Sequence, residues 1–282
     1  KKRILAWTLA AVMAVAMVGC GSSGKDTDSK GTTDNKTTEK TEVAAGESVS
    51  QDHDLVASVS VDFTTLDPMD TNDTLSGDVQ RLMMDGLFGF DEDMNVVNML
   101  AESYEANDDA TEFTFKLREG VSFSDGTPWN AEAAKANFDR WADKSLGLKR
   151  TTFLSNILDK TEIVDEYTIK VTLVSPFGAF INNLAHPCTV CVSPKQIEKG
   201  SATVAAEPVG TGQYTFKEWV AGEHLTLELN KDWWGYDKDI CGGEPLAESD
   251  AGFKTITFKP VAESATRVAM LQSGEADLIW PV

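Results

Sequence analysis

The sequence is poor in basic residues, histidine and cysteine. Its 25 Lys and Arg residues stand against 45 Asp and Glu residues, which gives a formal net charge of −20 at pH 7. A surface this acidic repels a phosphate backbone, so we do not expect a nucleic-acid partner. The chain also lacks the HExxH zinc motif, the GxSxG nucleophile motif and the Walker phosphate loop. The common metalloprotease, serine-hydrolase and P-loop nucleotidase classes are therefore not indicated.

Long apolar runs are absent too, apart from one near the start of the sequence. Three basic residues precede an apolar run from Ile4 to Val18 that only Thr8 interrupts. A run of roughly 15 residues suits the hydrophobic region of a signal peptide. It is shorter than the roughly 20 residues that a membrane-spanning helix needs. The run therefore indicates a secreted protein.

The apolar run ends in a Met-Val-Gly-Cys sequence, residues 17–20, that resembles a bacterial lipobox. The small Gly19 lets a signal peptidase approach the bond before Cys20, whose thiol would then carry diacylglycerol. We predict a lipoprotein signal peptide over 1–19 and a lipid anchor on Cys20, at the outer face of the cell membrane or in the periplasm of a two-membrane cell. An ordinary secretory signal followed by a chance cysteine is the alternative.

Residues 20–48 contain mostly Gly, Ser, Thr, Lys and Asp after the cysteine. Such a segment cannot bury enough apolar surface to fold. We predict a disordered tether with a reach of roughly 30 Å by random-coil scaling. The folded body would then work just outside a membrane.

The body, residues 49–282, alternates strand patterns with helix patterns. Asn130 is placed to cap a helix that carries Ala134, Phe138 and Trp141 on one face. The predicted strands are 54–61, 113–117, the hairpin 163–173 with its turn at 165–166, 214–219, 225–229, 255–259 and 278–280; the other predicted helices are 74–85, capped by Thr74, and 263–273. Strands interspersed with helices indicate a mixed α/β or α+β fold.

Several short segments follow one another along the body in a characteristic order. They are TLDP (65–68), LAESY (100–104), FTFKLREGV (113–121) with FSDGTP (123–128), PVGTG (208–212), WWG (233–235), and ATR (265–267) through LQSGEAD (271–277). In order and spacing they resemble the peptide/nickel family of extracytoplasmic solute-binding proteins, called family 5, over about residues 55–280. Gln213 departs from the pattern, which usually has proline after Gly-Thr-Gly.

The resemblance implies a two-lobed fold like that of type II periplasmic binding proteins, in which a hinge closes the lobes over a ligand. Lobe I is expected over 49–262, as a sheet domain (49–86 and 174–262) with an inserted subdomain (87–173). Residues 263–282 are expected to be the start of a truncated lobe II. Lobe I by itself offers half a pocket.

The resemblance also implies a function in import. The protein would capture a small peptide or peptide-like ligand and deliver it to an ABC permease and its ATPase, without breaking a bond and without a cofactor or metal. Nickel-chelate or glutathione binding by the same fold stays open. One alternative of another class is a tethered extracytoplasmic hydrolase, although no two carboxylates have the spacing of an acid/base pair. Another is a surface adhesin or sensor.

Four residues are candidate ligand contacts: Arg150, Thr65, Thr211 and His186. Arg150 lies in a Leu-Lys-Arg-Thr segment that resembles the one placing a basic residue at the cleft of dipeptide-, glutathione- and nickel-type members. Its guanidinium suits a carboxylate, because two N–H groups pair with two oxygens; a solvated loop arginine is the alternative. Thr65 lies at a strand-to-loop bend and either donates to ligand or serves as a turn hydroxyl. Thr211, between two glycines, either contacts ligand or belongs to a tight turn near the hinge.

His186 lies in an apolar run, so it is either a packed, hydrogen-bonded side chain or a contact to ligand or metal. Cys188 and Cys191 have CxxC spacing, but residues three apart in a strand face opposite sides, which disfavours a shared metal. With Cys20 lipidated, three thiols remain, Cys241 being the third. These three cysteines are either buried free thiols or include one disulfide whose pairing the sequence does not give.

Two further patterns have ordinary structural explanations. Asp91, Asp93, Asn95 and Glu102 match four positions of a calcium loop, but a valine replaces its invariant glycine, so we predict an acidic hairpin turn. The aromatic residues 233–236 either stack on a ligand or pack the domain.

Overall fold

The computed structural model describes residues 53–243, 245–247 and 252–280, which belong to one compact unit. The predicted signal peptide 1–19, the predicted lipid site Cys20 and the predicted tether 20–48 lie outside the described residues. No helix in the described ranges combines the length and the apolar character needed to cross a lipid bilayer.

The described residues form strands and helices in alternation. The strands are β1 (Asp54–Val59), β2 (Phe88–Phe90), β3 (Val96–Asn98), β4 (Ala101–Ala106), β5 (Glu112–Leu117), β6 (Leu158–Asp165), β7 (Thr168–Leu173), β8 (Tyr214–Val220), β9 (His224–Leu229), β10 (Thr255–Pro260) and β11 (Leu278–Trp280). The helices are α1 (Thr74–Met83), α2 (Ala131–Ala142), α3 (Thr151–Ser155), α4 (Phe180–Leu184), α5 (Pro194–Lys199), α6 (Ser201–Ala206), α7 (Lys238–Cys241) and α8 (Ser264–Ser273). The predicted mixed α/β fold is confirmed.

One sheet has five strands in the order β11-β1-β10-β9-β8. β1 pairs in parallel with both β10 and β11, whereas β9 is antiparallel to β10 and β8. Ala57 of β1 is fully buried, as are Leu225 and Leu227 of β9. These residues share a core with Val79 and Met83 of α1, so the apolar stripe of α1 is what holds this helix near the sheet.

A second sheet has four strands in the order β4-β5-β7-β6, all antiparallel. Helix α2 packs on β6 and β7. Its Ala134, Phe138 and Trp141 are fully buried, as the i, i+4, i+7 spacing predicts. Asn130 caps the helix by accepting a hydrogen bond from the Ala133 backbone N–H at 3.0 Å.

The cap of α1 differs from the prediction by one residue. Asp73, not Thr74, is the N-cap, and its carboxylate accepts a hydrogen bond from the Ser76 backbone N–H at 2.8 Å. Either side chain is a suitable cap by residue type. The Thr71 hydroxyl donates to Asp73 at 2.9 Å and supports this carboxylate at the helix start.

Two sets of contacts cross the predicted domain boundaries, which stay predictions. Phe180 and Leu184 of α4 are buried in the core of the four-stranded sheet, beyond the 87–173 range expected for the inserted subdomain. β11 pairs with β1 in the five-stranded sheet, although residues 263–282 were expected to begin lobe II. Hydrogen bonding to β1 places 278–280 with the elements expected in lobe I. The division into lobes stays a prediction.

Candidate functional site

A cavity of about 150 Å³ lies beside the first turns of α1. Three parts of the chain surround it: the loop before α1, the residue before α3, and the turn after α4. The lining residues are Pro68, Thr71, Asn72, Asp73, Thr74, Gly77, Asp78, Arg150, His186, Pro187 and Cys188. Of the four predicted contact residues, Arg150 and His186 are brought together here.

Arg150 is fastened to the loop before α1. Its backbone N–H donates to the Met69 carbonyl at 2.8 Å, and its Nε donates to the Thr71 carbonyl at 3.0 Å. The two terminal nitrogens of the guanidinium have no hydrogen-bond partner among the described residues. The hydrogen bond from Nε restrains the plane of the group, and the terminal N–H donors of this cavity-lining residue stay available to a ligand.

His186 caps the 3₁₀ turn Pro187–Thr189. Its Nδ1 accepts a hydrogen bond from the Cys188 backbone N–H at 3.1 Å, so the proton of the neutral ring lies on Nε2. Burial lowers the pKa of His186, and the positive charges of Arg150 and Arg81 lower it further. The neutral ring therefore offers the cavity an N–H donor rather than a charge.

Two acids line the same cavity and differ in their partners. The Asp73 carboxylate accepts from Ser76 and Thr71. Burial acts to raise the pKa of Asp73, but these hydrogen bonds outweigh it and the pKa lies below its ordinary value. Asp78 has neither a hydrogen bond nor an ion pair with any described residue, and burial raises its pKa, while Arg81 acts in the opposite direction.

Thr65 and Thr211 do not line the cavity. Thr65 is buried, and its Oγ1 accepts from the Asp67 backbone N–H at 3.1 Å, which is the turn role. Thr211 is fully buried and donates to Asp85 Oδ2 at 2.9 Å. The same carboxylate oxygen accepts from Trp234 Nε1 at 2.9 Å. Both residues are buried, and ligand contact by either threonine stays a prediction.

The three described cysteines are unpaired thiols. Burial raises the pKa of Cys188 to about 12 and raises the pKa of Cys191 well above its ordinary value. A thiol nucleophile or metal ligand must be deprotonated, so neither thiol is suited to these two roles.

The remaining sequence motifs form turns and packing. Asp91 Oδ1 accepts from the backbone N–H groups of Asp93 and Asn95, which closes the β2–β3 hairpin. Trp234 is buried, and Arg118 lies over its ring at 5.0 Å. The aromatic segment 233–236 therefore packs the domain, in line with the second of its two interpretations.

The sequence reasoning missed Asp78. It is an acid on a helix, and its position next to the apolar stripe of α1 matches that of an ordinary solvent-facing acid. Only the approach of Arg150 and His186 from distant parts of the chain shows that this acid faces a cavity.

Comparison with known proteins identifies the family. Residues 95–282 match the family model of bacterial extracellular solute-binding proteins, family 5 Middle. The chain is 45% identical over 229 residues to the glutathione-binding protein GsiB of Escherichia coli O157:H7, which covers 81% of this chain and 42% of that protein. The chain therefore spans less than half the length of the curated relatives that it matches.

Solved structures show the same fold. One is the binding protein AgaA of A. tumefaciens R10 in complex with agropinic acid, with a TM-score of 0.69 and 32% identity over 80% of this chain and 43% of that one. Another is NikA of Brucella suis in complex with Fe(III)-EDTA, with a TM-score of 0.66 and 28% identity over 80% and 43%. With the family match over most of the described residues, these similarities show that the chain belongs to the bacterial extracellular solute-binding proteins of family 5.

Proposed function

We propose that the complete gene product captures a small peptide or peptide-like ligand outside the cell and delivers it to an ABC permease and its ATPase. The observation that carries the proposal is that Arg150 lines the cavity beside α1 and that the two terminal nitrogens of its guanidinium have no hydrogen-bond partner among the described residues. A carboxylate at the end of a peptide fits such a pair of donors. His186 lines the same cavity, and its Nε2–H is a further donor that the hydrogen bond at Nδ1 does not use.

Family membership supports a binding role rather than catalysis. The proteins of this family are solute-binding proteins and not enzymes, so the hydrolase alternative loses its basis. Glutathione is a peptide-like ligand with two carboxylates, and the similarity to a glutathione-binding protein favours it as a specific candidate. A nickel chelate stays a candidate of the same fold.

The predicted two-lobed architecture explains how capture would work. Residues 49–262 would supply one wall of the ligand site, and a second lobe would supply the other. A ligand that touches both lobes favours the closed state by its differential affinity for it. Closure is then the signal that the permease reads.

Isothermal titration calorimetry on the complete gene product tests the proposal. The probes are alanyl-alanine, reduced glutathione and the nickel–histidine chelate. Arg150→Gln should weaken binding of a carboxylate probe by about tenfold or more. Lys149→Gln is the matched control, because it removes one positive charge from the neighbouring exposed residue, which does not line the cavity. Absence of binding by all three probes, or equal weakening by both variants, contradicts the proposal.

We further propose that the protein is held at the outer face of the cell membrane by a lipid on Cys20, after removal of residues 1–19. The support is the Met-Val-Gly-Cys sequence after an apolar run. Growth of producing cells with labelled palmitate should label the protein, and Cys20→Ala should remove the label. Label that persists in the variant contradicts the anchor.

A further inference from the structure

Three buried polar atoms on α2 and α3 have no hydrogen-bond partner among the described residues. They are Nε1 of Trp141, Oγ1 of Thr151 and Oγ of Ser155. The Trp141 side chain is fully buried, and Thr151 and Ser155 are only 7% and 6% exposed. Burial of a polar atom without a partner is costly, so each of these atoms calls for a group that satisfies it.

The packing of α3 brings these atoms to one region. Thr151 and Ser155 are four residues apart on α3, so their side chains are neighbours on one face of the helix, and both are buried. Trp141 lies in the last turn of α2. Helix α3 packs on α2 and also on the 3₁₀ turn Lys144–Leu146 that follows it. The two hydroxyls therefore lie on the buried face of α3, next to the end of α2 that carries Trp141.

The surroundings exclude a charged occupant. Phe138 of α2 and Leu154 of α3 are fully buried in the same apolar core as Trp141, and an ion is costly there. The nearest cation along the chain, Arg140, is already paired with Asp67. An occupant must accept from the indole N–H and can donate to the two hydroxyl oxygens. Water does both, and a buried water typically makes about three hydrogen bonds.

We propose that Trp141, Thr151 and Ser155 bind one buried water molecule between α2 and α3. The indole N–H donates to the water oxygen, and the water donates to the two hydroxyl oxygens. The water thus links both ends of α3 to α2. The site is separate from the cavity beside α1, because none of the three residues lines that cavity, and it does not depend on the identity of the ligand.

A crystal structure of the complete gene product, at a resolution that shows ordered water, tests the site. We expect one water at about 2.7–3.2 Å from Trp141 Nε1 and from both hydroxyl oxygens. Direct hydrogen bonds from these atoms to protein groups overturn the inference. An empty space between them overturns it as well.

Urea denaturation of variants gives an independent readout. With a bound water, Thr151→Val and Ser155→Ala should each lower the midpoint, because the water and its remaining partners lose a hydrogen bond. Without it, each substitution removes an unsatisfied hydroxyl and should raise the midpoint. Thr152→Val is the matched control, because it makes the same change at an exposed position of α3 and should leave the midpoint nearly unchanged.

The double variant tests whether the two hydroxyls share one water. Once either substitution has disrupted the water, the other has less to remove, so the combined loss should be smaller than the sum of the single losses. Raised midpoints in the single variants, or losses that add fully in the double variant, overturn the inference.

Discussion

Arg140 of α2 donates from Nη2 to Asp67 Oδ2, and both side chains are almost completely removed from solvent. Asp67 precedes Pro68, which lines the candidate cavity. Its other oxygen, Oδ1, accepts from the Met69 backbone N–H at 3.0 Å. The ion pair therefore fastens this loop to helix α2 of the neighbouring sheet. The same loop holds Arg150 through its backbone carbonyls.

Arg140→Met should leave Asp67 buried without its cation. Because an uncompensated buried charge is costly, we expect the free energy of unfolding to fall by about 3–5 kcal/mol. Lys135→Met on the same helix breaks an exposed ion pair with Asp139 and should change it by no more than about 0.5 kcal/mol. Urea denaturation of the complete gene product measures both. Similar losses in the two variants would show that burial does not govern the pair.

Gly212 packs directly on the end of α1. A Cβ atom built on it would lie 2.5 Å from the Leu82 carbonyl oxygen, and its N–H donates to the Met83 carbonyl at 2.9 Å. Since the obstacle is backbone, Gly212→Ala should lower the free energy of unfolding by about 1–3 kcal/mol. Gly178→Ala meets no atom within 4 Å and should be nearly neutral in the same urea titration. A neutral Gly212→Ala would refute the close packing.

Asp85 should make stability fall as pH rises. Burial raises its pKa above the ordinary 3.8, although Trp234 and Thr211 donate to it. As pH rises from 3.8 through the raised pKa, the unfolded chain loses this proton before the folded one does, so the free energy of unfolding decreases. The side chain of Asp85→Asn cannot titrate, so the variant should lack this part of the pH dependence of the free energy of unfolding.

Denaturation of the wild type and Asp85→Asn from about pH 3.5 to about pH 8 measures the component. The free energy of unfolding of the wild type, minus that of the variant, should become more negative with rising pH. A difference that stays constant across this range would show that Asp85 keeps an ordinary pKa in the fold.

His186 should take up protons when an anionic ligand binds. Burial, Arg150 and Arg81 hold its pKa below the ordinary 6.5. A carboxylate at Arg150 offsets that positive charge and raises the pKa of the ring. Affinity for glutathione should therefore rise as pH falls through the range in which the ring titrates. Calorimetry at about pH 6 in two buffers of different ionisation enthalpy measures the proton uptake.

The other titratable groups facing His186 are few. Asp73 and Asp78 line the same cavity, and the Cys188 thiol lies 3.1 Å from Nδ1. His186→Gln should abolish the uptake, whereas His224→Gln should preserve it, because His224 lies on β9 beside Glu218 at 3.3 Å. Uptake that survives His186→Gln would assign the proton to one of the acids.

Local patterns predicted most individual elements. The turn between β6 and β7 follows the predicted hairpin, and the buried face of α2 follows its apolar spacing. The predicted β1 was longer than observed, because Val61 is exposed beyond the last pairing residue. These features depend on neighbours within a few residues, which the sequence displays directly.

The sequence by itself determined the fold class, the family and the presence of a basic residue, Arg150, before α3. Only the tertiary structure decided that the Thr211 hydroxyl is hydrogen-bonded to Asp85, 126 residues away. It also decided that Asp78 shares a cavity with Arg150 and His186. The physical reason is that a threonine or an aspartate reads the same in the sequence whether or not its side chain has a hydrogen-bond partner in the fold. Its partners are chosen by packing between distant segments, and periodicity along the chain carries no record of that choice.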